Sequence, residues 1–402
     1  MYIIIGQGAA GTSAANRLRE LDPATPVTVI TSETDYFYSR IDLPDIIGGK
    51  YGEERSVLQP AATFAERGIA CRMGETVTGI IPAEKAVELA SGERLTYKKL
   101  LLATGSLPVI PPLAGTDCQG VHSVWTLEQA RTMIQQFSDT RRAVVVGAGL
   151  IGLKTALAIA ARGVEVTVVE YLPRVLPRQL DEVGSEMVAA KVRDKGVELL
   201  LGTKVEGFVT EQGRISGVRL AERVIGCDMV VMAVGVKPNS HLAVLAGLKT
   251  NRGVIVDEHL QTSDPDIYTA GDAAEVIDAL TGKPTVPAIW PVAVEQGAVA
   301  AINMSGGKAA CAGTIAMNSV EIAGVPIVSV GDIEEGPGDV RLSLSGYGHK
   351  KIVVRNDVVR GVLFVGDISQ AGVAAHLVER RTQLPVDKLP TRSLSFAELL
   401  AI

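Results

Sequence analysis

Ile3-Ile4-Ile5-Gly6-Gln7-Gly8-Ala9-Ala10-Gly11 opens the chain, and Ala143-Val144-Val145-Val146-Gly147-Ala148-Gly149-Leu150-Ile151-Gly152 repeats its plan in the middle third. Each is an apolar strand running into G-x-G-x-x-G. After the first comes a helical run, Thr12 to Leu21, and a second strand, Val27-Thr28-Val29-Ile30. After the second comes a helix through Leu157 and Ala161 to Gly163, and the strand Val166-Thr167-Val168-Val169. Both read as βαβ units of about 30 residues. The three glycines have separate tasks. The first permits a tight turn, the second lets backbone approach a pyrophosphate, and the third lets helix and strand pack closely, so that the helix N-terminus faces phosphate. An acidic residue follows each unit, Glu33 and Glu170, at the distance of about 20 residues where a carboxylate meets ribose hydroxyls. One such loop is weak evidence, whereas two copies in full context make two dinucleotide sites, one for a cofactor that stays and one for a cosubstrate that visits.

Around these units lie three further signals. Leu100-Leu101-Leu102-Ala103-Thr104-Gly105 is a buried strand ending in Thr-Gly, and Met229-Val230-Val231-Met232-Ala233-Val234-Gly235 is its counterpart. Ile267-Tyr268-Thr269-Ala270-Gly271-Asp272 ends another strand on an acid, and Trp290-Pro291 opens an apolar helix with Pro where a missing N–H is harmless. Composition agrees: 47% hydrophobic residues with only 4% aromatics suits parallel strands buried between helices. With 402 residues, two or three domains are expected. A net charge of −6 speaks against nucleic acid as partner. No apolar run approaches the roughly 20 residues of a membrane span. No leader precedes the first strand, so a cytoplasmic protein is expected. Cys71, Cys118, Cys227 and Cys311 are scattered, which predicts buried thiols and no metal site.

These segments, in this order, resemble the FAD-dependent pyridine nucleotide–disulfide reductase superfamily over essentially the whole chain. The resemblance implies that Gly6, Gly8, Ala9, Ala10, Gly11 and Glu33 hold FAD, with Ala103-Thr104-Gly105 as a second contact and Gly271-Asp272 near the ribityl or pyrophosphate region. The helix opening at Trp290 would aim its N-terminus at the flavin pyrimidine ring. Gly147, Gly149, Leu150, Ile151, Gly152, Glu170 and Gly235 would hold NAD(H). Where relatives carry redox cysteines, this chain has Tyr36-Phe37-Tyr38-Ser39-Arg40-Ile41-Asp42-Leu43-Pro44-Asp45. Ile41 stands in the place of the thiol, and without a thiolate there is no nucleophile for disulfide or peroxide. The Tyr-x-Arg-x-x-Leu pattern, with Arg178-Gln179-Leu180-Asp181, is similar to NADH:rubredoxin reductases and to the flavin segment of assimilatory nitrite reductases. That branch implies that Arg40 contacts the FAD phosphates.

The expected fold is α/β: two nested Rossmann-like domains and a small α+β domain. Residues 1–110 and 240–305 would bind FAD, residues 111–239 would form an inserted NAD domain, and residues 306–402 would close the chain. The implied activity is an NADH-dependent flavin oxidoreductase that exchanges electrons with a small carrier protein or an iron–sulfur or metalloenzyme subunit, as a free enzyme or as part of a larger complex or oligomer. Direct reduction of O₂ is the alternative. Asp45 and Lys154 take the places of a charge pair, with signs exchanged, that in ferredoxin-reductase relatives meets beside flavin and nicotinamide. They are therefore candidate catalytic-site residues.

Overall fold

The structure is a computed structural model that describes all residues except 312, 345, 389–392 and 401–402. It divides into two compact units. The first comprises Met1–Arg40, Glu53–Leu107 and Val236–Thr314, and the second Ile41–Gly52, Pro108–Gly235 and the described part of 315–402.

The first unit is built on a five-stranded parallel sheet in the spatial order Ile267–Thr269, Lys99–Leu102, Tyr2–Ile5, Val27–Thr31, Ile69–Met73. Strands covered on both faces read as unbroken apolar runs, and Tyr2, Ile3 and Ile4 are fully buried. The helix Ala9–Leu21 crosses one face of the sheet and packs along Trp290–Met304. Small residues make that approach possible: a Cβ on Gly297 would stand 2.2 Å from the Ala10 carbonyl oxygen. An antiparallel meander, Val77–Ile81, Ala86–Leu89 and Arg94–Thr96, completes this unit's sheets together with a short two-stranded and a short three-stranded sheet.

The second unit repeats the theme with a parallel sheet in the order Val197–Leu200, Glu165–Val169, Arg142–Val146, Met229–Met232, Val121–Ser123. The helix Leu150–Ala160 follows its glycine loop, and a meander (Val205–Glu211, Arg214–Leu220, Val224–Gly226) lies alongside in sequence. The same unit holds a C-terminal sheet whose strands Met317–Ile322, Val325–Gly331, Val358–Val365, His349–Arg355 and Val340–Leu344 run antiparallel, with the short strand Ser393–Leu394 added in parallel to the last, covered by the helix Ala371–Glu379. The short helix Leu43–Ile47 belongs here as well, packed on Leu150–Ala160. Its end is pinned where Arg162 Nε donates to the Ile47 carbonyl at 3.0 Å.

One ionic cluster ties the C-terminal sheet to the nucleotide-fold part of this unit. Asp181, the last residue of Arg178-Gln179-Leu180-Asp181, caps the helix Glu182–Asp194 by accepting from the Gly184 amide at 3.0 Å. Its second oxygen meets His349 Nε2 at 2.9 Å and Lys351 Nζ at 3.1 Å. Burial alone would raise the Asp181 carboxyl, but His349, the Gly184 amide and Lys351 outweigh it and hold the group well below the usual carboxylate range. A depressed carboxyl stabilises the fold above its unfolded pKa, and the contribution disappears as pH falls through the lower folded value. Asp181→Asn keeps a cap-competent side chain but removes the charge. It should cost about 1–2 kcal/mol near neutral pH, the loss of charge-assisted bonds to His349 and Lys351, because Lys351 keeps Glu335 as a second anion at 3.3 Å, and thermal melts should converge with the parent protein in strong acid. A neutral-pH midpoint unchanged by Asp181→Asn would contradict this.

Candidate functional site

The two glycine loops are near copies at atomic level. A Cβ on Gly6 would stand 2.1 Å from the Ala103 carbonyl oxygen, and one on Gly147 2.4 Å from that of Ala233. Both residues have positive φ, +105° and +110°. On Gly11 or Gly152 a Cβ would meet the carbonyl oxygen of the first glycine of its own loop at 2.0 Å. These four positions are closed to any side chain. The middle glycines are different: around Gly8 and Gly149 no atom lies within 4 Å of the added Cβ. Each is the N-cap of its helix, without a side-chain cap, so the amides of Ala9-Ala10 and Leu150-Ile151 begin helices whose first N–H groups lack intrahelical partners. Open space before unpaired amides at the positive end of a helix dipole suits a pyrophosphate. The residues present fit a dinucleotide in each unit.

The acids lie just beyond the second strands, near where the spacing predicts, and they are held differently. Glu170 accepts from two backbone amides, Ala148 at 2.7 Å and Leu172 at 2.8 Å. Glu33 is held by side chains: Tyr38 Oη donates to it at 2.6 Å, and Arg40 forms an ion pair with its other oxygen. Arg40, expected from the resemblance to face phosphates, therefore has a carboxylate partner.

The remaining first-unit candidates converge at the ends of the parallel strands. Asp272 accepts from Ser106 Oγ at 2.7 Å, in a turn where Gly271 has a φ of +76°. The Gly271 amide donates to Gln296 Oε1 at 2.8 Å, and Gln296 is fully buried on the helix that Trp290 opens. Thr104 Oγ1 donates to the Asn239 carbonyl at 2.7 Å, while the Asn239 amide donates back to Gly105 at 2.9 Å. Trp290 stacks on Phe37, with centroids 5.5 Å apart and an interplanar angle of 19°. Ser106, Gln296 and Phe37 escaped the sequence reading, since each is defined by a partner remote in the chain. In the second unit, Gly235 has a φ of +119° and its carbonyl accepts from the Val109 amide at 2.9 Å.

The Asp45–Lys154 pair expected from the sequence is not formed. Asp45 is bonded to neighbours on its own segment, Lys50 at 3.4 Å and Tyr51 at 3.5 Å, and no ion pair joins it to Lys154 among the described residues. A lysine five residues away reaches an exposed carboxylate without spanning two helices. Lys154 is half-buried and is the fifth residue of its helix, one turn beyond the terminus, where the dipole penalty has mostly faded. Asp45→Ala and Lys154→Ala should therefore affect the rate of reduction by NADH additively, within about 0.5 kcal/mol. A larger coupling in the double mutant would restore the pair.

All four cysteines are free. Cys227 and Cys311 are buried, while Cys71 and Cys118 are half-buried rather than enclosed as expected. Burial pushes the Cys71 thiol up to about 11 and the Cys227 thiol up to about 12, and it raises the other two as well. Ile41, in the place of a redox thiol, is 52% exposed. No cluster of metal-binding side chains occurs among the described residues, and no helix among them is long and apolar enough to cross a membrane.

Residues 1–297 match the family model described as pyridine nucleotide-disulphide oxidoreductase. The chain is 31% identical, over all of its own length and 96% of the relative's, to the NADH-dependent phenylglyoxylate dehydrogenase subunit epsilon of Aromatoleum evansii. It is 36% identical to an NADH oxidase of Methanocaldococcus jannaschii, over 76% of this chain and 70% of the relative. Among solved structures, the NADH:rubredoxin oxidoreductase of Clostridium acetobutylicum superposes with a TM-score of 0.80 at 26% identity, covering 100% of this chain and 98% of that one.

Proposed function

The chain belongs to the pyridine nucleotide-disulphide oxidoreductase family, and from that premise we propose that it carries electrons between NADH and a metal-containing protein partner. It is an NADH-dependent flavin oxidoreductase with FAD and NAD(H) as cofactors. When bound, FAD supplies the redox chemistry, accepting hydride from NADH and releasing electrons onward. The chain's own residues bind, orient and shield. The loop Gly6–Gly11 with Glu33, Thr104, Gly105 and Asp272 holds FAD, and the loop Gly147–Gly152 with Glu170 and Gly235 holds NAD(H). The N-terminus of the helix at Trp290 would stabilise negative charge on the flavin pyrimidine ring by roughly 0.3–2 kcal/mol.

Ile41 is the observation that carries the choice of acceptor. With an exposed isoleucine in the place of the redox thiol and every cysteine raised by burial, the chain has no sulfur relay, so electrons must leave for an external acceptor. The near full-length likeness to a subunit of an NADH-dependent dehydrogenase and to an NADH:rubredoxin oxidoreductase favours a small iron–sulfur protein or a metalloenzyme subunit. Within a complex, electrons could equally run toward NAD⁺. Four unpaired cysteines suit a reducing compartment, the cytoplasm. The test is NADH consumption with and without reducible rubredoxin or ferredoxin. A carrier should raise the rate at least about tenfold over air alone. Full turnover with O₂ and no response to carriers would instead favour the oxidase reading that the Methanocaldococcus jannaschii relative suggests.

A further inference from the structure

We propose that Tyr38 and Arg40 are positioning residues that act on FAD through Glu33, not through the cofactor's phosphates. The inference rests on the reading that the first unit holds FAD and that Glu33 meets its adenosine ribose.

Glu33 lies just beyond the strand Val27–Thr31, and its backbone is fixed on both sides. Its amide donates to Thr31 Oγ1 at 3.2 Å, and its carbonyl accepts from the Gly74 amide at 3.0 Å. No backbone amide among the described residues donates to its side chain. Tyr38 Oη donates to one carboxylate oxygen at 2.6 Å, and Arg40 pairs with the other. Tyr38 is itself anchored: it is 5% exposed, forms a bridge with Val57, and is followed by Ser39, whose amide donates to Ser56. The Arg40 guanidinium lies over the Tyr38 ring, 5.4 Å from its centroid. The two donors thus brace one another as well as the acid.

The second repeat shows what these residues replace. There the equivalent acid, Glu170, is oriented by the Ala148 and Leu172 amides, and a fixed backbone needs no side-chain support. A carboxylate offers about four acceptor positions, so either arrangement leaves room for two ribose hydroxyls. The Tyr-x-Arg pattern supplies to the first site what main-chain N–H groups supply to the second. It follows that the FAD site should be sensitive to these two side chains and the NAD site indifferent to them.

The experiment strips flavin from the full-length protein and measures rebinding of FAD by fluorescence quenching. The variants are Tyr38→Phe, Arg40→Leu and Glu33→Gln, alone and with each of the first two combined with Glu33→Gln. Far-UV circular dichroism confirms each fold. Tyr38→Phe keeps the ring and serves if Arg40→Leu does not fold. Losing one charge-assisted hydrogen bond should weaken FAD about tenfold, with FMN, which lacks adenosine, bound as before. In the Glu33→Gln background the same substitutions should cost less than about twofold. If Glu33→Gln weakens FAD but Arg40→Leu still costs tenfold on top of it, Arg40 reaches the cofactor directly and the proposal is overturned. If Glu33→Gln leaves FAD affinity unchanged, the underlying assignment of Glu33 fails, and the proposal fails with it.

Discussion

Gly8→Val should fold normally and emerge colourless. At Gly8 the backbone is extended (φ −74°, ψ −168°) and an added Cβ meets no atom within 4 Å. The substitution therefore introduces neither strain nor clash into the protein itself, and the stability of the flavin-free form should change by less than about 1 kcal/mol. On the proposed reading, what the side chain fills is the space where backbone approaches the FAD pyrophosphate. Excluding the phosphates from the helix N-terminus loses charge-assisted hydrogen bonds of about 1.5–3 kcal/mol each, so FAD affinity should fall on the order of 10³-fold. Gly6→Val is the control with the opposite character. Its Cβ would stand 2.1 Å from the Ala103 carbonyl at a φ of +105°, so the fold itself should fail. A Gly8→Val protein that purifies with full FAD would show the loop is not the flavin site. Measured absorbance at the flavin band per mole of protein settles it.

The second large effect is discrimination between NADH and NADPH. Both oxygens of Glu170 are engaged by backbone amides, so the carboxylate cannot swing away from an incoming 2′-phosphate. Like charges at about 4 Å repel by about 4 kcal/mol at an effective dielectric near 20, and screening reduces this to roughly 10²-fold in kcat/KM. Arg174, four residues beyond Glu170, is tied back, with its Nη2 donating to the Pro177 carbonyl at 3.2 Å. Glu170→Gln should narrow the preference by about tenfold. Equal kcat/KM for the two nucleotides in the parent protein would contradict the role of Glu170.

The parallel sheets were legible because their strands are continuous Val/Ile/Leu runs entering glycine loops, a signal confined to a few neighbouring residues. The strands read from Ile3 to Thr269 agree with the observed ones to within a few residues. The meanders were not read, and their bulges explain why. Register shifts between Val77 and Gly79, and again between Val205 and Gly207 and between Val209 and Thr210, break the period of two on which strand reading depends. In the candidate site, the places of the glycine loops, and of Glu33 and Glu170 just beyond the second strands, could be read from spacing alone. The partners of Arg40 and Asp45 could not, because a flexible charged side chain takes whichever counterion the folded chain brings within reach. Nor could the membership of Ile41–Gly52 in the second unit, which depends on packing against a helix a hundred residues away in sequence.

The central claim is that NADH reduces the flavin without a participating thiol. Anaerobic titration of the purified protein with NADH, followed by absorbance, tests it most directly. The account predicts that one NADH per FAD bleaches the flavin band completely, that no long-wavelength thiolate-to-flavin band develops, and that the endpoint is the same after all four cysteines are replaced by Ala or Ser. Consumption of two equivalents, or a stable charge-transfer band abolished by replacing a cysteine, would contradict it.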